Sequence, residues 1–341
     1  MKLGIIGLGQ SGKATVFEAL TRMQLTPAQR AEPNIAMLDV PDERVDVLSD
    51  LYQPKKTTHA QVACFLPGAA RAGQGAGGVW NQASTCDALI TVVRNFSGDG
   101  FGAPSPVDDF RKLDHELIFA DLLAVTKRIE RLEADRTRGR GFDTQELELL
   151  HICRELLEAD RPLRDNMELA AAHLLKGFSF LSGKPILVLF NNDDENDHLP
   201  VSDDVLPGET CMVIRGRLES ELARMTPEDA QAFLDEFDIP SSALDRVLRT
   251  SYDLLGLISF FTVGPDEVRA WEIRRGTIAV DAAEAIHSDI KKGFIRAEVV
   301  SYDDLMAAGS HAEARKRGTV RLEGKNYPVA DGDLIDFRFS V

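Results

Sequence analysis

The first hundred residues alternate short runs of β-type residues with stretches whose apolar positions recur at helical spacing, the pattern of an α/β domain with a mostly parallel sheet. LGIIG (3–7), NIAMLDV (34–40), AQVACFL (60–66) and DALITVVR (87–94) predict strands. Helices are predicted over 13–22 and 42–51, the second from its apolar Val45, Leu48 and Leu51. The glycine-rich RAGQGAGG (71–78) breaks the alternation before the fourth strand and reads as a loop that is mobile or wraps around something.

From about residue 114 to 178 the pattern changes. LDHELIFADLLAVTKRIERLEADR and TQELELLHICRELLEADRPLRD both carry apolar residues at helical spacing among many charges, and RTRGRGFD between them predicts the turn of an antiparallel helical hairpin. KPILVLFNNDDEN (184–196) then predicts a buried strand ending in an acidic, amide-rich loop, so the α/β domain resumes after a helical insertion. MVIRG (212–216) predicts its last strand, and helices follow through about Leu255. The final stretch is β-rich: LISFFTV, FIRAEVVSY, GTVRLEG and LIDFRFSV predict strands, with a helix over 282–290 and a short turn at 330–333. A small α+β module with a mixed sheet is expected there. The domain boundaries read from these changes are 1–113 with 180–256 for the α/β domain, 114–179 for the hairpin and 257–341 for the C-terminal module.

Composition narrows the function class. A chain of 341 residues, 44% hydrophobic and 28% charged, can build two or three domains with a sizeable core. It contains no run of about 18 apolar residues, and its N-terminus enters a strand at once, so a cytoplasmic protein without a membrane span is expected. The cysteines Cys64, Cys86, Cys153 and Cys211 show no metal-ligand spacing and read as reduced, buried thiols. The seven histidines show no H-x-x-x-H or H-E-x-x-H spacing. A net charge of −16 opposes general attraction to nucleic acid and leaves only a local basic patch for that purpose.

The chemistry concentrates in GLGQSGKAT (7–15), between the first strand and the first helix. Gly7, Gly9 and Gly12 spell the dinucleotide turn G-x-G-x-x-G, whereas Gly7, Gly12 and Lys13 spell the triphosphate loop G-x-x-x-x-G-K with Ala14 at its Ser/Thr position. Lys13 favours the second reading, because it aims a cation at β- and γ-phosphates. The first wants an acid on the ribose, and Asp39 lies 27 residues past Gly12 where about 20 is expected. Local signal leaves both open, beside a plain strand-to-helix turn with no ligand.

Wider similarity favours the triphosphate loop. GLGQSGKATVFEALT, EPNIAMLDVPDERVDVLSDLYQPKKT, CDALITVVRNF, KPILVLFNNDDE and FFTVGPDEVRAWEIRRGTIAVDAAEAIHSDIKKGFIRAEVVSYDDL resemble the YchF/Obg-like ATPase family of translation-factor-related P-loop NTPases, nearly end to end. The resemblance implies a Ras-like α/β nucleotide domain, an inserted helical coiled coil and a C-terminal β-grasp TGS domain. It implies ATP or GTP as ligand, held by Gly9, Gln10, Ser11, Gly12, Lys13, Ala14 and Thr15, with the base at an N-x-x-E loop. That loop aligns as Asn191 with Asp194 or as Asn192 with Glu195. A later loop contact falls at Arg215-Gly216-Arg217, and a switch glycine at Gly68.

Departures from the family pattern cluster on one function. The serine that ligates Mg²⁺ is Ala14, leaving Thr15 as an α-phosphate contact; the first-switch threonine falls near Arg30, ahead of Glu32-Pro33-Asn34; and the D-x-x-G aspartate is Phe65 in Phe65-Leu66-Pro67-Gly68. Nucleotide binding with impaired Mg²⁺-dependent hydrolysis is therefore expected. The alternatives are a slow ATPase or GTPase using Thr15, Asp39 or Asp42 as replacement ligands, and a nucleotide-free scaffold. Ribosome, RNA or protein contact is implied through basic residues of the hairpin, Lys127, Arg128, Arg131, Arg136, Arg138 and Arg140, and of the C-terminal module, Lys291, Lys292, Arg296, Arg315, Lys316 and Arg317. The competing reading is a solvated helix face balanced by Glu130, Glu133 and Asp135. Trp271 and Phe294 read as core aromatics.

Overall fold

A computed structural model describes residues 1–68, 77–98, 100, 102–200, 205–236, 239 and 242–340. The glycine-rich stretch 71–78 lies outside the described residues except for its last two positions. The chain divides into two compact units, Met1–Met37 with Ala63–Val247, and Leu38–Val62 with Leu248–Val341.

The first unit opens with β1 (Lys2–Ile6), α1 (Lys13–Thr21), α2 (Pro27–Arg30) and the start of β2 (Asn34–Asp39). The end of β2, α3 (Glu43–Tyr52) and β3 (Lys56–Thr58) belong to the second unit, and the chain returns to the first along β4 (Gln61–Leu66). There follow α4 (Gly77–Ala83), β5 (Ala88–Asn95), α5 (Pro106–Thr137), α6 (Thr144–Glu158), α7 (Met167–Ala170), β6 (Ile186–Asn192), β7 (Thr210–Ile214), α8 (Gly216–Leu222), α9 (Pro227–Glu236) and α10 (Ala243–Leu254), whose last residues pass into the second unit.

The strand order is β2-β4-β1-β5-β6-β7, with β1 parallel to β4 and β5, and β6 parallel to β5 and β7. β6 is buried along its whole length, as the near-continuous apolar run ILVLFNN requires of a strand covered on both faces. In a dinucleotide fold the strand after the first helix lies beside the first strand. Here β4 separates β2 from β1, the order of a Ras-like nucleotide domain.

The predicted insertion is a helical hairpin. α5 and α6 bury Ile118, Val125, Ile129 and Leu132 against Leu147, Leu150, Cys153 and Leu157, and Asp143 starts α6 by accepting from the backbone N–H groups of Gln145 and Glu146. The hairpin base is tied to the sheet layer by buried polar groups. Asp121 accepts from the backbone N–H groups of Leu181 and Ser182, while Arg164 grips Asp114 and Glu209.

In the second unit, β8 (Leu257–Val263) and β9 (Glu267–Arg274) form an antiparallel hairpin, followed by α11 (Ala279–Ile286), α12 (Ser288–Lys292), β10 (Phe294–Ser301), α13 (Tyr302–Ala308), α14 (His311–Arg317), β11 (Arg321–Glu323) and β12 (Asp333–Phe339). Its sheet runs β11-β10-β12-β8-β9-β3. The first and last strands of the C-terminal module, β8 and β12, are parallel neighbours at its centre, each with an antiparallel partner outside, β9 and β10. This is β-grasp topology. Ala279, Ala282 and Ala283 are fully buried on α11 and let it approach Phe260, Phe294 and Phe337. The predicted helix 282–290 is two helices: His287 between them is extended, and its imidazole accepts from the N–H of Asp289 to start α12. Trp271 is half-buried, donates to Thr262 and carries the Arg269 guanidinium over its ring at 3.9 Å; Phe294 is a core residue.

Candidate nucleotide-binding site

β1 is buried and α1 follows it after six residues, so the loop between must turn sharply. Two glycines make the turn. Gly12 has φ +88°, and a Cβ there would lie 2.2 Å from Asn191 Nδ2; a Cβ on Gly7 would lie 2.5 Å from the Val92 carbonyl oxygen. A Cβ on Gly9 would meet nothing. The glycines the backbone needs are thus spaced G-x-x-x-x-G, as in the triphosphate loop.

Lys13 follows on the first turn of α1, with its ammonium donating to the Leu8 carbonyl at 3.1 Å. Burial lowers its pKa from 10.5 because the charged form has lost water. Ser11 is 2% exposed, and its hydroxyl has no hydrogen-bond partner among the described residues. Ala14 brings no side-chain oxygen to the loop, whereas Thr15 lines the cavity.

Asn191 and Asn192, at the end of β6, are both buried but do different work. The Asn191 amide donates to the Ser11 carbonyl at 3.1 Å and accepts from the Gly216 N–H at 2.9 Å, which locks the loop to the start of α8. A Cβ on Gly216 would come within 2.7 Å of Asn191 Oδ1. Asn192 instead donates to the Asn196 and His198 carbonyls and accepts from Asn95, which shapes its own loop. Asp194 accepts from the Leu218 N–H at 3.2 Å, with Arg217 at 3.8 Å. Of the two alignments, the structure brings Asn191 and Asp194 to the loop and α8; Glu195 also lines the cavity.

Two cavities meet at the loop. One, of about 560 Å³, is lined on the side of Asn191 to Glu195 by Phe96, Ser97, Arg217 and Ser220. The other, of about 740 Å³, extends past Lys13 to Gly68, Trp80 and Leu113. Gly12, Thr15, Arg30 and Phe96 line both. Gly68 packs against the backbone of the Glu32-Pro33-Asn34 segment, where a Cβ would lie 2.8 Å from the Pro33 nitrogen, and its N–H donates to Gln82. Asn34 donates to the Gln29 and Glu32 carbonyls. Phe65 is buried under the Lys2 ammonium, 3.7 Å from the ring centre.

The other candidate magnesium ligands are engaged within the second unit. Asp39 accepts from Gln61, and Asp42 starts α3 and binds Arg44. No three His, Cys, Asp or Glu side chains gather as a metal site among the described residues.

The chain that carries this loop, this strand order and this β-grasp module is 38% identical to "Ribosome-binding ATPase YchF" of Bacillus subtilis (strain 168), over 99% of each chain. Its identity to the protein of the same name from Haemophilus ducreyi is 36%, over 100% of this chain and 99% of the relative.

The chain belongs to the YchF family.

The profile YchF-GTPase_C, described as "Protein of unknown function (DUF933)", matches residues 257–340. The structure of the Schizosaccharomyces pombe YchF GTPase superposes with a TM-score of 0.85 at 29% identity, covering 99% of this chain and 97% of that one. The YchF fold is thus present in both of its α/β parts.

The basic residues fall into two groups. On the hairpin, Arg128 pairs with Glu146 and Arg140 with Asp135, while Lys127, Arg131, Arg136 and Arg138 are exposed with no ion-pair partner among the described residues. In the C-terminal module, Lys291 pairs with Asp281 and Glu284, Lys292 with Asp289, Arg315 with Glu298, and Lys316 and Arg317 with Glu313. No described helix is long and apolar enough to cross a membrane.

Residue patterns did not single out Phe96, which borders both cavities, or Glu18, whose carboxylate holds Arg30. An acid in the middle of α1 beside buried Phe17 and Ala19 was the available signal.

Proposed function

We propose that this chain is a nucleotide-binding YchF protein of the cytoplasm that binds ATP or GTP, hydrolyses it poorly with Mg²⁺, and contacts the ribosome or its RNA. Three parts divide the work: the nucleotide domain (1–113 and 180–256), the hairpin (114–179) and the TGS-like module (257–341). The observation that carries the reading is the loop itself. Gly12 and Gly7 shape it, Asn191 clamps it to α8, and Lys13 stands at the start of α1. Backbone N–H groups and a cation arranged this way attract phosphate without a metal.

Mg²⁺ does not fit the donors present. The position after Lys13 is an alanine, and the position of the second-switch acid is the buried Phe65, so two oxygens that would hold the ion are replaced by carbon. Phosphate binding then falls to the loop N–H groups, Lys13 and Thr15, and base recognition to Asn191 and Asp194. The relatives named above are ribosome-binding ATPases; their shared name supports the ribosome as partner, and the exposed cations of the hairpin supply charge for RNA phosphates.

Calorimetric titration of the nucleotide-stripped protein with ATP and with GTP, each in Mg²⁺ and in EDTA, tests the nucleotide reading. Micromolar binding that survives EDTA is expected, and Lys13→Ala abolishes it. No heat from either nucleotide with folded protein overturns the reading. Because a phosphate raises the depressed pKa of Lys13, affinity falls as pH rises through that pKa, below 10.5. For the partner, Lys127→Glu/Arg131→Glu/Arg138→Glu is expected to lower cosedimentation with ribosomes and flatten its salt dependence; unchanged cosedimentation removes the hairpin from the interface.

A further inference from the structure

Arg30 occupies a position that the phosphate-loop reading leaves unexplained. It ends α2, a four-residue helix fixed at its start by Thr26 and Gln29, which cap each other's backbone N–H groups. Its Nε and Nη2 donate to the Glu18 carboxylate at 2.9–3.2 Å, and the Leu25 N–H donates to the same carboxylate at 2.8 Å. Glu18 is 5% exposed, whereas the Arg30 side chain is 49% exposed. Buried Glu18 on the loop's own helix therefore fixes one edge of the guanidinium, leaving Nη1 without a partner among the described residues. Arg30 lines both cavities together with Gly12, Thr15 and Phe96.

The charges around it indicate its role. The cavity beyond Lys13 is mostly apolar, lined by Leu8, Leu66, Pro67, Val79, Trp80 and Leu113, with Lys13 and Arg30 as its cations and Glu116 as its acid. The cavity beside Asn191 holds Glu18, Asp193, Asp194, Glu195 and Glu221 against Arg30, Arg217 and Arg224. A phosphate chain starting at Gly12 and Lys13 would enter a space where Ala14 and Phe65 give no oxygen to a divalent ion. An arginine held by one edge can offer its remaining N–H groups to phosphate oxygens in a fixed orientation.

We propose that Arg30, oriented by Glu18, is the second phosphate-binding cation of this site and takes over the charge neutralisation that a divalent ion provides in other triphosphate loops. The inference rests on the nucleotide-binding reading above. It makes Arg30 a binding residue for nucleoside di- and triphosphates and Glu18 its positioning residue. Binding then weakens with each phosphate removed, in the absence of any metal.

The test is titration of the full chain with ATP, ADP and AMP in EDTA. Wild type, Arg30→Gln, Arg30→Lys, Lys13→Ala and the charge-balanced pair Glu18→Gln/Arg30→Gln are compared, each checked for folding by thermal melting. Arg30→Gln is expected to lose roughly tenfold or more in ATP affinity, the scale of one charge-assisted hydrogen bond. The expected loss is smaller for ADP and negligible for AMP, and Arg30→Lys recovers part of it. The charge-balanced pair shows the same dependence on phosphate number, which separates phosphate contact from any strain caused by unpaired Glu18. Wild-type binding with equal ATP affinity in Arg30→Gln overturns this inference alone, as does an equal loss for all three nucleotides. Absence of nucleotide binding by the wild type overturns the nucleotide reading and this inference together.

Discussion

Asn191→Asp is expected to destabilise the first unit strongly at neutral pH and far less in acid. The native amide sits 5% exposed, with Nδ2 donating to the Ser11 carbonyl and Oδ1 accepting from the Gly216 N–H. A carboxylate keeps the second bond but turns the first into a repulsion between two oxygens, and it places a charge at a buried position whose hydrogen bonds suit a neutral amide. An uncompensated buried charge costs about 3–5 kcal/mol. The favourable dipole at the start of a helix returns only about 0.3–1 kcal/mol, so destabilisation wins. The folded-state pKa of the new acid is raised, because its neutral form can donate to Ser11 as the amide does. The cost is therefore absent below the unfolded carboxylate pKa of about 3.9, grows as pH rises above it, and levels off past the raised folded value. Asn191→Ala provides the control: it leaves the Gly216 N–H and the Ser11 carbonyl unsatisfied, at about 1–3 kcal/mol for a buried group, with no pH dependence of its own. Urea unfolding across this pH range decides the matter; a flat difference between Asn191→Asp and wild type means that Asn191 does not clamp the loop.

Arg164→Ala is the second large effect, and it acts at the base of the hairpin. Arg164 is 8% exposed and donates to Asp114 at 2.7 and 2.9 Å and to Glu209 at 2.5 and 2.8 Å. Burial holds Glu209 above the ordinary carboxylate range even beside this arginine. Removing the guanidinium leaves two half-buried carboxylates facing each other with no cation. The expected loss is about 3–5 kcal/mol, enough to remove much of the stability of a typical domain. Protonating the two acids relieves the repulsion, so the gap from wild type narrows as pH falls through the carboxylate range. Replacing all three residues with apolar groups of similar size is expected to recover most of the loss, because pairing in the wild type largely offsets its own desolvation. A single variant that melts like wild type would mean that the triad contributes nothing.

Much of the fold was legible because its signals are local. The apolar runs of β5 and β6 mark strands covered on both faces, and the helical spacing of α5 and α6 marks the hairpin. Elsewhere local signals were weak. β3 is a three-residue strand, KTT, that exists because Lys56–Thr58 pair with Glu267–Arg269, more than two hundred residues away. β9 sets Arg269 between its inward Val268 and Ala270 and follows them with the half-buried Trp271 and Glu272 before buried Ile273, so its alternation is partly masked. The two-helix form of 279–292 depends on one imidazole accepting a backbone N–H, which apolar spacing does not encode.

The site divides along the same line. Sequence alone determined its chemical inventory: glycines at 7 and 12, a lysine at 13, an alanine at 14, a phenylalanine at 65 and two adjacent asparagines before an acidic loop. It left two spellings of the glycine loop and two alignments of the asparagines open, because each pair satisfies the same one-dimensional pattern. Tertiary structure bears on both through contacts distant in sequence. Gly12 has to be glycine because Asn191, 179 positions later, fills the space a side chain would need. Asn191 faces the loop because β6 lies two strands from β1, whereas Asn192, the next residue, bonds Asn95 and the Asn196 and His198 carbonyls and closes its own loop. Arg30 meets Glu18 in the same way. The role of each of these side chains depends on a partner that only folding places beside it.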